Sequence, residues 1–163
     1  MNTLWAYVLG GAMLVATFWV AEVEWVPVLS DANLIFHEAG HAVLFWAPRT
    51  LLVLGGTLLQ LAVPCVALFA LLREGRWVSG GIVLWWLGQN LVNVGWYMAD
   101  ARAQALPLLG GNVAGHDWTY LLGQWGLLRY DTLLGGAVQG IGVATMAAAS
   151  LAVWYVLLRT RKT

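Results

Sequence analysis

Charge is scarce in this sequence. Only 10% of its 163 residues are charged, eight basic against eight acidic, which excludes nucleic acid as a partner, since its binding needs a basic surface. Cysteine is nearly absent as well: Cys65 stands alone, which excludes an internal disulfide and a cysteine-built metal cluster and leaves the redox compartment open. There is no Asp-Gly dipeptide and no internal repeat. What remains is apolar: 61% of the residues are hydrophobic, gathered into runs of roughly twenty, enough to cross a hydrocarbon core at about 1.5 Å per residue.

The expected fold is therefore all-α: a polytopic membrane helical bundle of about five hydrophobic segments, read as one integral membrane domain over residues 1–163. The segments are 3–21, 33–47, 51–72, 77–99 and 132–158, and the connector 100–131 carries a short amphipathic helix near 118–128. The first segment lacks a preceding basic region and reads as a retained span. With five crossings, an intracellular C-terminus puts Arg73, Arg76, Arg159, Arg161 and Lys162 inside, against Arg49, Arg102 and Arg129 outside, a slim margin for the positive-inside rule.

In the second segment, "FHEAGHAV" at 36–43 sets His37 and His41 four residues apart, with Glu38 directly after the first. On a helix four residues advance about 400°, so both imidazoles leave one face and reach one ion. Glu38 lies about 100° round. This is the HExxH arrangement, in which the histidines bind zinc and the glutamate is the general base. The plainer alternative is a pair of interior histidines bonded to backbone or water. Ionisable groups in a membrane helix are costly, which favours the functional reading.

Catalytic zinc takes three protein ligands and leaves a position open. One candidate is His116, the remaining histidine, in a connector that Gly110, Gly111 and Gly115 allow to fold back. Another is Asp100, at the end of the stripe Trp86, Asn90, Asn93, Tyr97, Asp100, which keeps one helix face. The expected metal set is thus His37, His41, His116 and Asp100, with Glu38 catalytic. Asn90 and Asn93 are expected to line the polar interior or to join helices by hydrogen bonds, and Asp100 alternatively pairs with Arg102. Asp117 is expected to cap the helix near Trp118 or orient a histidine, ahead of binding metal itself. Gln60, one turn from Gly56, either packs in a close helix contact or positions a substrate carbonyl. "GAVQG" at 136–140 is a small-xxx-small pattern suited to close helix approach within this chain or with another.

The block "HEAGHAVLFWAPRTLLVLGGTLLQLAVP" resembles the site-2-protease type of intramembrane zinc metallopeptidase, in which HExxH lies on a membrane helix beside a glycine-containing segment. "WWLGQN", "YMADARAQALPLLGG" and "HDWTYLLGQWGLL" are similar to blocks shared by a group of small bacterial membrane proteins. The resemblance implies a zinc hydrolase embedded among the lipids of a bacterial inner membrane, first of all a metallopeptidase acting on a membrane-associated peptide. That family draws its third ligand from an Asp-Gly motif on a later helix, whereas Asp100 here precedes Ala101. The alternative expectation is a non-catalytic small subunit of a larger membrane protein complex, with a structural or vestigial metal site. Haem bound through His37 or His41 is the weakest alternative, because an axial ligand has no use for the adjacent Glu38.

Overall fold

The long apolar runs fold as helices, in which each backbone group finds its partner within the same segment. The computed structural model describes residues 3–23, 25–106 and 115–159, with backbone alone at 3 and 6. Gly110, Gly111, Arg161 and Lys162 lie outside the described residues. The helices are α1 (Thr3–Ala21), α2 (Leu29–Val43), α3 (Arg49–Arg73), α4 (Trp77–Ala99), α5 (Asp117–Gln124) and α6 (Asp131–Arg159), with a 3₁₀ turn at Leu128–Tyr130 and no strand among the described residues. Two stretches, Arg49–Arg73 and Leu128–Arg159, are long and apolar enough to cross a membrane.

Local chemistry sets the ends. The α3–α4 turn closes at Gly75 (φ 71) and the turn that follows α5 at Gly126 (φ 69), both in the left-handed conformation that glycine adopts without steric cost. At each, the next N–H reaches back to the last helical turn: Arg76 to the Leu71 carbonyl at 3.0 Å, Leu127 to that of Leu122 at 2.8 Å. α2 begins four residues earlier than the apolar run suggests. The Ser30 hydroxyl accepts from the Val26 N–H and the Asp31 carboxylate from the Val28 N–H, both at 2.9 Å, so polar side chains nucleate the helix ahead of its apolar part.

α4 packs chiefly against α6 and also against α3, while α2 lies on α3 and α1 on α6. Glycines set the closest approaches. A Cβ on Gly88 would stand 2.7 Å from the Gly142 carbonyl oxygen, and one on Gly95 2.6 Å from that of Gly135. The pairs run in opposite directions at equal spacing, as antiparallel helices require. Within the chain the close approach falls to Gly135 and Gly142 and not to the glycines of "GAVQG": Gly136 and Gly140 meet open space, lying roughly 100° and 140° round the helix from Gly135. Beneath it, Val53, Met98, Trp118, Leu121 and Leu122 form a buried cluster that seats α5 against α3 and α4.

α2 and α3 touch backbone to backbone at Gly40, where a Cβ would overlap the Gly55 carbonyl. Rigid main chain on both sides leaves no side chain to swing away. Gly40→Ala is expected to destabilise the chain by about 1–3 kcal/mol, the usual cost of overpacking, read as a fall in thermal midpoint in detergent. An unchanged midpoint would mean that these helices do not meet here.

Candidate metal centre

One face of α2 is polar and buried: Ser30, Asn33, His37 and Gly40 recur at helical spacing. The His41 side chain, one turn beyond His37, is 22% exposed. The ring centroids are 4.8 Å apart and nearly perpendicular, at 79°. α3 holds each ring by its Nδ1. His37 Nδ1 is 3.2 Å from the Gln60 side-chain oxygen and His41 Nδ1 is 2.9 Å from the Leu52 carbonyl oxygen. An oxygen of that kind only accepts, so each Nδ1 carries a hydrogen, and each Nε2, on the other side of its ring, offers a lone pair to an ion whenever it is unprotonated.

Both Nε2 atoms face one carboxylate oxygen. Asp117 Oδ2 stands 2.8 Å from His37 Nε2 and 3.2 Å from His41 Nε2. The ligand atoms of these three residues all lie within 4.8 Å of one another. Three electron-pair donors brought this close repel unless a cation or protons stand between them, and two imidazoles with a carboxylate form a donor set suited to zinc. Carbonyl oxygens behind the imidazoles are the orienting partners that metal-binding histidines use. Room is kept by α3: a Cβ on Gly56 would stand 2.6 Å from His37 Nε2 and 2.7 Å from His41 Nε2.

Among the described residues it is Asp117, and not the expected His116 or Asp100, whose carboxylate oxygen faces both imidazoles. His116 is the residue before α5, and its Nδ1 accepts the Thr119 N–H at 3.3 Å. Its Nε2 lies 3.4 Å from Asp100 Oδ2. Burial pushes this imidazole below its ordinary pKa, and the Asp100 carboxylate opposes that shift. Asp100 accepts the Ala105 and Leu106 N–H groups at 2.9 and 3.1 Å. Among the described residues, His116 and Asp100 form a pair of their own, outside the His37, His41 and Asp117 group. Arg102 turns instead to Asp131, its Nε 2.8 Å from Oδ1, and joins the end of α4 to the start of α6. Capping passes to His116, which frees the Asp117 carboxylate for the histidines.

The expected α4 stripe holds in part. Asn33 Nδ2 donates to Gln89 Oε1 at 2.6 Å and to Asn93 Oδ1 at 3.0 Å, while Trp86 Nε1 donates to Asn33 Oδ1 at 2.9 Å. Every polar group of this buried amide is used, so it sets the rotation of α2 against α4 one turn before His37. Asn90 differs: its Nδ2 donates to the Trp86 carbonyl of its own helix at 2.9 Å. Asn33 and Gln89 were legible only as parts of stripes, Asn33 in the spacing 30, 33, 37, 40 and Gln89 beside Asn93.

A cavity of about 880 Å³ opens on the centre. Glu38, Arg49, Asn93 and Tyr97 line it together with His37, His41 and Asp117, and Trp25, Leu34, Trp96 and Leu106 supply apolar wall. No protein-family model, curated protein or solved structure matches this chain.

Proposed function

We propose that the protein is a zinc-dependent hydrolase embedded in a membrane, the bacterial inner membrane by the resemblance above. His37, His41 and Asp117 hold the ion, Glu38 is the general base, and a peptide bond in a membrane-associated segment is the substrate. The observation that carries this reading is the convergence of two imidazole Nε2 atoms and one carboxylate oxygen, with both Nδ1 atoms already engaged, on the wall of a cavity that Glu38 shares. Placement in lipid is supported by outward apolar side chains such as Phe18, Val66, Phe69, Ile141 and Leu151, each more than half exposed, which water would not favour in such number. Five crossings, by α1, α2, α3, α4 and α6, belong to the same proposal.

A bound zinc ion supplies a Lewis acid that polarises the substrate carbonyl and acidifies water. The chain's own residues do the rest. Glu38 takes a proton from the attacking water on its carboxylate and delivers it to the leaving nitrogen. Gln60 and the Leu52 carbonyl keep both imidazoles oriented. The apolar wall excludes bulk water and accepts the side chains of a membrane peptide.

The test is metal analysis of protein purified in detergent, with turnover of peptides drawn from membrane segments. About one zinc per chain is expected. Glu38→Gln should retain the zinc while losing about 100-fold or more in turnover, since the amide cannot take the proton. Absence of zinc from protein purified and reconstituted with it would overturn the proposal. Zinc with no hydrolysis by the native chain would overturn the catalytic half and favour the small-subunit alternative.

A further inference from the structure

The hydroxyl of Tyr97 is placed for more than packing. Its ring lies on His116 with centroids 4.3 Å apart and an interplanar angle of 33°, and meets His37 edge-on at 5.8 Å and 75°. Those contacts fix the ring. Its oxygen accepts the backbone N–H of Asp117 at 3.0 Å, beside the carboxylate that meets both histidines. A phenol that accepts one bond still has its own hydrogen to give, and among the described residues nothing accepts it. Tyr97 lines the same cavity as Glu38 and the three candidate ligands.

We infer that Tyr97 is the electrophilic partner of the centre: its O–H donates to the oxygen of the substrate carbonyl, across from the ion, as negative charge gathers there. This rests on the proposed hydrolase and adds a residue to it. Three features make it a good donor. The ring is clamped, so little reorganisation is needed when charge develops, which is the condition for strong oxyanion stabilisation. The N–H accepted from Asp117 polarises the O–H and strengthens its donation. An ordinary phenol stays protonated far above neutral pH, so the hydrogen is present whenever substrate binds. Tyr97 reaches the cavity from α4 while the histidines come from α2, so the donor and the metal ligands are carried by different helices around one cavity.

The probe is acetohydroxamate, a small carbonyl-bearing chelator, titrated into cobalt(II)-loaded protein and followed by the visible d–d bands. Tyr97→Phe keeps the ring and removes only the hydroxyl. It should leave cobalt affinity within about threefold and weaken acetohydroxamate about tenfold, the scale of one hydrogen bond to a charged acceptor. If the hydroxyl serves only to hold the Asp117 backbone, the pattern reverses, with cobalt affinity falling and acetohydroxamate affinity unchanged, and the inference is overturned. A second measurement keeps the native phenol: 3-fluorotyrosine placed at position 97 should shift its ¹⁹F resonance when acetohydroxamate is added to the cobalt-loaded protein, beyond the shift cobalt causes. No further shift would count against Tyr97. Failure of the native chain to bind cobalt at all would instead overturn the metal centre itself.

Discussion

Asp117→Ala is expected to abolish metal retention while leaving the helices in place. The carboxylate is the one acidic group, among the described residues, that meets His37 and His41 together, at 2.8 and 3.2 Å. Removing an orienting partner of a metal ligand costs about 10- to 100-fold in affinity. Loss of a direct ligand should exceed that, so affinity should fall by more than about 100-fold. The fold has other supports at this point: His116 caps α5, and Trp118, Leu121 and Leu122 seat it in the core. Helix content and thermal midpoint should therefore change little in metal-free protein. His116→Ala gives the contrast, with reduced stability from the lost cap, about 1 kcal/mol, and affinity altered far less than by Asp117→Ala. Calorimetric zinc titration of both variants decides the assignment. The opposite order of effects would restore His116 as the ligand.

The second large effect comes from a residue that binds nothing. Gly56→Ala is expected to remove metal binding although no ligand side chain is changed. The added methyl would sit 2.6 Å from His37 Nε2, 2.7 Å from its Cε1 and 2.7 Å from His41 Nε2, within the contact distance of any carbon and nitrogen. Neither imidazole can retreat freely, because Gln60 and the Leu52 carbonyl hold their far sides. The methyl must either displace the rings from their shared point or push α3 away from α2, and affinity should fall by about 100-fold or more in either case, the scale on which a misoriented ligand is felt. A normal zinc titration for Gly56→Ala would mean that the ion lies elsewhere. Gly55→Ala is the informative companion: its Cβ meets the Gly40 carbonyl oxygen at 2.7 Å, so its effect should appear first in stability.

Much of the helical layout was legible in the chain because apolar runs of this length have few other ways to satisfy their backbone. Helix limits at 3–21 and 77–99 agree with the structure, and those around 51–72 and 132–158 differ by one or two residues. α2 was misplaced by four, since Ser30 and Asp31 start a helix by side-chain bonds that an apolar count does not register. The antiparallel glycine seam between α4 and α6 was missed for a different reason. Spacing marks small residues at 136 and 140 as readily as at 135 and 142, and only the partner helix decides which face is covered.

The sequence by itself determined that His37 and His41 share one helix face and that Glu38 lies beside them, because the helical period alone relates residues one turn apart. Only the tertiary structure decided what completes the group. Asp117 is separated from His37 by 80 positions, and no local periodicity links segments so far apart. Within "HDW" the choice turned on a single step of chain: His116, at the cap position, is turned back onto the Thr119 N–H, while Asp117, the first residue of α5, leaves in another direction and meets the two Nε2 atoms. Neighbouring residues at a helix start point about 100° apart, and the docking of α5 against α3 and α4 selects which of the two faces the histidines.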